Sequence, residues 1–250
     1  MNSRRHLLIA GVIWVVLTVA GIVLAQLTLA DGFPFLASEE GAVVDDAIRF
    51  LLYAVVPVFM FVLVVIGYAM IRFRVRPDDV SDSGSQHRTN RAYTLTWLGA
   101  TTALAVLVTV HPGITGLIKL WDARDKPDQL VVDVTAQQWQ WTFAYPDEGL
   151  EDQTELVLPV DRPVKFMITS NDVIHSFWVP AFRIKEDAVP GTTRKLVLTP
   201  DRIGSPQTSS MMRVQCAELC GMGHAEMTAV VRVVTAADFD QWVAQQGGEQ

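Results

Sequence analysis

The stretch from Cys216 to Met227, Cys-Ala-Glu-Leu-Cys-Gly-Met-Gly-His-Ala-Glu-Met, gathers two thiols, an imidazole, a thioether and a carboxylate, and both cysteines of the chain lie in it. Two thiolates four residues apart on one loop can both bridge a pair of soft metal ions, while a histidine and a methionine cap them from the sides. Nitrogen, thiolate and weak thioether donors suit copper in electron transfer, whereas magnesium and calcium take oxygen. The loop is therefore expected to hold copper. A binuclear centre needs a second imidazole, and His175, in Asp-Val-Ile-His-Ser-Phe-Trp-Val-Pro, is the only other histidine downstream of the long apolar runs. Chain order pairs His175 with His224.

Two other chemistries compete at this point. Cys216 and Cys220 would form a disulfide if the loop faces an oxidising compartment. Zinc is also held by two cysteines and two histidines. A disulfide explains neither Met227 nor the histidines, and structural zinc sites usually place their ligands in closely spaced pairs. Met211, Met212 and Met222 read as core filler, the usual fate of methionine. No Cys-x-x-Cys-His motif occurs, so the chain carries no c-type haem attachment site.

The elements that must position these residues fall into two classes. Half of the 250 residues are hydrophobic and the mean hydropathy is +0.27, values that call for membrane-spanning segments. Leu7 to Ala30, Phe50 to Ile71 and Tyr93 to Leu120 are runs of the length that crosses a hydrocarbon core, about 20 residues; the third is broken near His111 and Pro112. The first also has the charged start and small-residue end of a secretory signal peptide, although it exceeds the usual core of about 7 to 15 residues. The expected division is 1–30 as a signal peptide or additional transmembrane helix, 31–121 as a transmembrane helical hairpin, and 122–250 as the exported domain. Arg4 and Arg5, then Arg72, Arg74, Arg76, Arg88 and Arg91, mark the cytoplasmic side, while Asp31 to Asp46 is acidic without Lys or Arg. Everything after Trp121 then lies on the periplasmic or extracellular face of a bacterial-type plasma membrane. Pro77 to Asn90 reads as a flexible polar loop.

From Leu130 onward short β-branched or alternating runs appear between Pro, Gly, Asp and Asn. Leu130–Ala136, Trp139–Tyr145, Glu155–Val160, Val164–Ser170, Thr193–Thr199, Met211–Gln215 and Thr228–Val234 are expected strands, enough for a sandwich or barrel. Thr235 and Asp238 cap a closing amphipathic helix from Ala236 to Gln246. Residues 122–250 carry 19 acidic and 11 basic side chains, a net −8. That sign attracts a basic soluble partner and excludes nucleic acid. Asp147, Glu148, Glu151, Asp152 and Asp172 are the docking candidates. Trp139 and Trp141 share a face if one strand carries both, which would ordinarily bury them in a core.

The motif Cys-x-Glu-x-Cys-Gly-x-x-His-x-x-Met, with the distant His-Ser-Phe-Trp-Val-Pro, Gln138-Trp-Gln-Trp141 and Lys185-Glu-Asp-Ala-Val-Pro-Gly191, resembles subunit II of the haem-copper cytochrome c oxidases over the last half of the chain. The resemblance implies a membrane-anchored all-β architecture: an N-terminal transmembrane helical hairpin, with a signal peptide or extra helix, and then a cupredoxin-like Greek-key β-sandwich. Because the family typically keeps two helices, it favours a signal sequence for the first run. It implies two copper ions, the copper A centre, held by His175, Cys216, Cys220, His224 and Met227 with the backbone carbonyl of Glu218. It gives the Glu218 carboxylate to a magnesium ion shared with subunit I, and makes Trp139 the point of electron entry from cytochrome c. Gln140 stands where many relatives carry tyrosine, and Thr94, Leu95 and Thr96 stand before Trp97 where many carry a proton-uptake glutamate. The implied function is electron entry into an oxidase whose subunit I, with other subunits, holds the haem, reduces oxygen to water and pumps protons. A membrane-tethered copper-binding protein or metallochaperone is the alternative. Quinol oxidase subunits share the architecture but lack the copper cysteines, and nitrous oxide reductase carries a similar loop behind a propeller for which this chain has no room.

Overall fold

A computed structural model describes residues 3–32, 35–74 and 89–247. Helix α1 spans Ser3–Gly32 and α2 spans Glu39–Arg72. Helix α3, Arg91–Val108, continues through a π-helical turn, Thr109–Ile114, into α4, Thr115–Asp122. The break expected at His111 and Pro112 is real: His111 has extended angles, φ −133° and ψ 123°, because a proline disfavours helical geometry in the residue before it. Among the described residues, three stretches are long and apolar enough to cross a membrane: Arg4–Thr28, Glu39–Arg72 and Arg91–Asp122. Most of the loop expected over Pro77–Asn90 lies outside the described residues; at its end the Asn90 side chain accepts a hydrogen bond from the Tyr93 amide and caps α3.

Within the helical unit, α1 is joined to α2 by polar contacts of a specific kind. The Trp14 indole donates to the Pro57 carbonyl at 2.8 Å, and His6 Nδ1 lies 2.8 Å from the Tyr68 hydroxyl. Gly21 faces Val56 so closely that a Cβ there would sit 3.0 Å from its methyl. Small residues at such crossings allow the close backbone approach on which helix packing in lipid depends.

Ten strands follow among the described residues: β1 Leu130–Gln137, β2 Gln140–Tyr145, β3 Leu150–Gln153, β4 Glu155–Pro159, β5 Val164–Ser170, β6 His175–Val179, β7 Ile184–Ala188, β8 Arg194–Leu198, β9 Arg213–Cys216 and β10 Thr228–Val234. They form two five-stranded sheets, ordered β3-β2-β1-β5-β8 and β4-β10-β9-β6-β7. Strands β1 and β5 run parallel, as do β4 and β10; the other neighbours are antiparallel. The sandwich anticipated after the apolar runs is therefore present. The alternation of β1 and β5 buries Leu130, Val132, Val134, Ala136, Val164, Phe166 and Ile168, and Phe177 of the second sheet meets Phe166 and Trp141 of the first at ring-centroid distances of 5.3 and 5.8 Å. The buried Tyr145 hydroxyl pins the sheets together, donating to the Val157 carbonyl and accepting from its amide. Helix α5, Ala236–Gly247, closes one end with Phe239 and Trp242, and its expected cap forms: the Asp238 amide donates to Thr235 Oγ1, whose hydroxyl donates to Asp238.

The compact units divide the chain differently from the boundary expected near residue 121. Residues 35–46, which include the start of α2, group with 116–247, whereas the rest of α2 groups with α1 and α3. The reason is a dense set of polar contacts: Ser38 Oγ donates to the Phe182 carbonyl and accepts from the Gly41 amide, capping α2. The buried Glu40 carboxylate accepts from the Thr199 amide at 2.8 Å, and Lys126 lies 2.6 Å from Glu39 and 3.6 Å from Glu40. Arg183 Nε meets Asp45 at 2.9 Å, with the two side chains 10% and 5% exposed. Removing one partner of so buried a pair strands the other charge. Arg183→Ala is expected to lower the unfolding free energy by about 3 kcal/mol, as measured by chemical denaturation of the full chain in detergent.

Candidate metal centre

The register of β6 and β9 builds the site. Phe177 lies opposite Cys216, and because side chains alternate along a strand, His175 points to the same inner face as Phe177. The loop from Cys216 to Met227 is the connection between β9 and β10, closed where the Cys216 amide donates to the Met227 carbonyl at 3.1 Å. Pairing of Thr228 with Gln215 then starts the next strand. Four of the donors expected from the sequence end up inside: His175 is 0%, Cys216 2%, Cys220 3% and Met227 0% exposed.

Both cysteines are free. Their sulfurs are 3.7 Å apart. His175 Nδ1 lies 3.9 Å from Cys216 Sγ, and His224 Nδ1 lies 3.6 Å from Cys220 Sγ. Met227 Sδ is 3.8 Å from Cys220 Sγ, and the Cys216 thiol donates to the Glu218 carbonyl at 3.1 Å. Each imidazole thus flanks a different sulfur, with a thioether and a carbonyl alongside. Ligand atoms of His175, Cys216 and Cys220 all lie within 4.8 Å of one another. Two nitrogens, two thiols, a thioether and a carbonyl exceed the four ligands of a structural zinc site and make a set compatible with copper. The Glu218 side chain itself is exposed.

Four groups outside the donor set hold it in place. Asp172 Oδ1 lies 2.8 Å from His175 Nε2. A carboxylate only accepts, so the ring carries its proton on Nε2 and keeps the Nδ1 lone pair free toward the cysteines, the arrangement that orients metal-binding histidines. Burial pushes the Asp172 carboxyl up, but hydrogen bonds from the Gln138 amide, the His175 ring and the Val173 amide outweigh it and bring it down to about 2. Asp172, a docking candidate on sequence, lies beside the His175 ring and holds it. Its three-residue spacing from His175 was the signal that could have revealed this. Gln138 Nε2 and Trp139 Nε1 both donate to the Cys220 carbonyl, at 2.7 and 3.2 Å; the Gln138-Trp-Gln-Trp141 stretch marked Gln138 without giving it a role. Trp141 donates to the Met227 carbonyl at 3.4 Å.

The two tryptophans part company. Strand β2 begins at Gln140, so Trp139 stands in the turn before it and is 40% exposed, while Trp141 is 2% exposed in the core. The Trp139 indole lies on Gly221 and Gly223: a Cβ on Gly223 would sit 2.6 Å from it. Met212 is buried as expected, but Met222 is 96% exposed and fills no core. Asp147, Glu151 and Asp152 are exposed, and Glu148 lies 3.6 Å from Arg162.

A family model described as cytochrome C oxidase subunit II, periplasmic domain, matches residues 148–234. The cytochrome c oxidase subunit 2 of Synechocystis sp. is 29% identical, the alignment taking in 92% of this chain and 82% of that protein. Residues 148–234 carry the periplasmic domain of the cytochrome c oxidase subunit II family. The subunit 2 of Thermostichus vulcanus is 42% identical, but the match spans 56% of this chain and only 40% of that protein's length. The periplasmic domain of subunit II of cytochrome oxidase from Bradyrhizobium japonicum aligns at 32% identity over 50% of this chain and 97% of that one, with a TM-score of 0.43. The relatives are named as subunits of an oxidase, an oxidoreductase, and the family model's span covers His175 and the whole Cys216–Met227 loop while leaving out Gln138 and Trp139.

Burial pushes the Cys220 thiol up from 9.0 to about 11, helped by a hydrogen bond and charge repulsion from Cys216. Above pH 9 the unfolded chain loses a proton that the folded, metal-free protein retains, so stability falls as pH rises from 9 through 11. Denaturation of the metal-free protein across that interval is expected to show the decline, and Cys220→Ser to flatten it.

Proposed function

We propose that this chain is the electron-entry subunit of a cytochrome c oxidase, accepting electrons from cytochrome c and passing them to the haem of subunit I, where oxygen is reduced to water with proton pumping. The observation that carries this reading is the convergence of His175, Cys216, Cys220, His224, Met227 and the Glu218 carbonyl in one site. Two copper ions bound there would supply a one-electron carrier. His175, Cys216, Cys220, His224 and Met227 would hold them. The exposed Glu218 carboxylate is free to reach a magnesium ion shared with subunit I. Trp139 joins the surface to Cys220 through a single hydrogen bond, which supports its role in electron entry. The net −8 of residues 122–250 favours a basic donor such as cytochrome c, by long-range attraction.

Buried ligands argue against a metallochaperone, which must hand its metal on. With four of the donors at most 3% exposed, an acceptor protein has no access to them. The test is metal analysis of the purified subunit. Two coppers per chain, a purple mixed-valence colour, and loss of both in Cys216→Ser and Cys220→Ser are expected; one colourless zinc would overturn the reading. Trp139→Leu should keep the copper and slow reduction by cytochrome c, followed by stopped-flow absorbance.

Residues 31–121 and 122–250 are assigned as membrane hairpin and periplasmic copper domain, in the plasma membrane of a bacterial-type cell beside the other oxidase subunits. The hydrogen bonds of Trp14 and His6 to α2 support an additional helix for residues 1–30 over a cleaved signal. Intact-mass measurement of the mature subunit is expected to include them; a mass beginning near residue 31 would reverse that assignment.

A further inference from the structure

Gln138 belongs to neither ligand loop, yet it is bonded to both. It follows the last residue of β1, in the sheet that does not carry the donors. Its main-chain amide donates to Asp172 Oδ2 at 2.7 Å, and the other oxygen of that carboxylate holds His175 Nε2 at 2.8 Å. Its side-chain Nε2 donates to the Cys220 carbonyl at 2.7 Å. Gly221, the next residue, has φ +116°, and a Cβ there would sit 3.0 Å from Gln138 Nε2. The backbone of the cysteine loop is thus seated directly on this amide.

We propose that Gln138 is a positioning residue of the copper site, tying the His175 loop to the Cys220 loop across the two sheets. The Cys220 carbonyl receives two donors, Gln138 Nε2 and Trp139 Nε1, which fix the plane of the Cys220–Gly221 peptide. The Cys220 side chain leaves the same Cα, so that plane governs where Sγ stands relative to His224 Nδ1 and Met227 Sδ, now 3.6 and 3.8 Å away. Glutamine suits this position because asparagine is one methylene short, and a glutamate would set acceptor oxygens against an acceptor. The two ties differ in kind. Any residue but proline supplies the main-chain donor to Asp172, whereas only the side chain reaches Cys220. Loss of the side chain therefore loosens one end of the site and leaves the other.

The spectroscopic part of this inference rests on the copper reading; the mechanical part does not. The test uses the full chain in detergent with Gln138→Met, which keeps the length without a donor, Gln138→Glu, and Gln138→Lys, which restores a donor of similar reach. In the metal-free protein, amides of residues 221–224 are expected to exchange about tenfold faster in the Met and Glu variants, the worth of one hydrogen bond. Those of Val173 and His175 should not change, and the Lys variant should return to the parent's rates. In the copper-loaded protein, the paramagnetically shifted proton signals of Cys220 and His224 should move while those of His175 hold. Unchanged exchange at 221–224 in Gln138→Met, equal loosening of both loops, or failure of Gln138→Lys to restore the parent would overturn the proposal. A chain that takes up no copper leaves the exchange measurement to decide it, and the failure then falls on the functional reading.

Discussion

The pairing of Phe177 with Cys216 in β6 and β9 is the constraint on which the site depends. It places His175 and Cys216, 41 residues apart in sequence, side by side on one inner face. A slip of one residue would turn His175 outward and leave the cysteine loop without its second imidazole. That register is held by the core beneath it. Phe177 is wedged against Phe166 and Trp141 of the opposite sheet, so exchanging inner and outer faces would expose the aromatic layer. Packing and metal geometry are therefore specified by the same strand.

Around that register the surroundings leave the donors little freedom. Asp172 fixes one imidazole, and Trp141 holds the Met227 carbonyl where the loop rejoins the sheet. Gln138 and Trp139 hold the Cys220 carbonyl, and the glycines at 221 and 223 let the indole lie against the loop. Fixed surroundings suit one-electron chemistry, because ligands that do not rearrange between oxidation states do not slow the transfer. The same turn brings an exposed aromatic ring, that of Trp139, to within one hydrogen bond of Cys220.

The sandwich also draws in a part of the chain that precedes two of the apolar helices. Ser38, Glu39, Glu40 and Asp45 are bonded to Phe182, Lys126, Thr199 and Arg183. An acidic stretch without Lys or Arg reads as a solvated external loop. Yet several of its charges are consumed in contacts with the sandwich. Short and half apolar, residues 35–46 carry no pattern from which a docking partner could be read.

What the sequence by itself determined was the chemistry and the local elements. Soft donors at close spacing in Cys216–Met227 announced a metal loop, and uninterrupted apolar runs announced helices broken at His111. Alternating strands such as Leu130–Gln137 announced a sandwich, and Thr235 its closing cap. Strands β3, β6 and β7 were not legible: Glu151 and Asp152 look like a turn, His175–Val179 is buried at almost every position, and Ile184–Ala188 is charged at its centre. Only the tertiary structure decided that Asp172 holds His175, that Trp139 and Trp141 separate, and that Gln138 bonds both loops. The reason is physical: donor type and local periodicity are properties of neighbouring residues, whereas a hydrogen bond between residues 34 or 82 positions apart exists only once strand pairing has closed the distance.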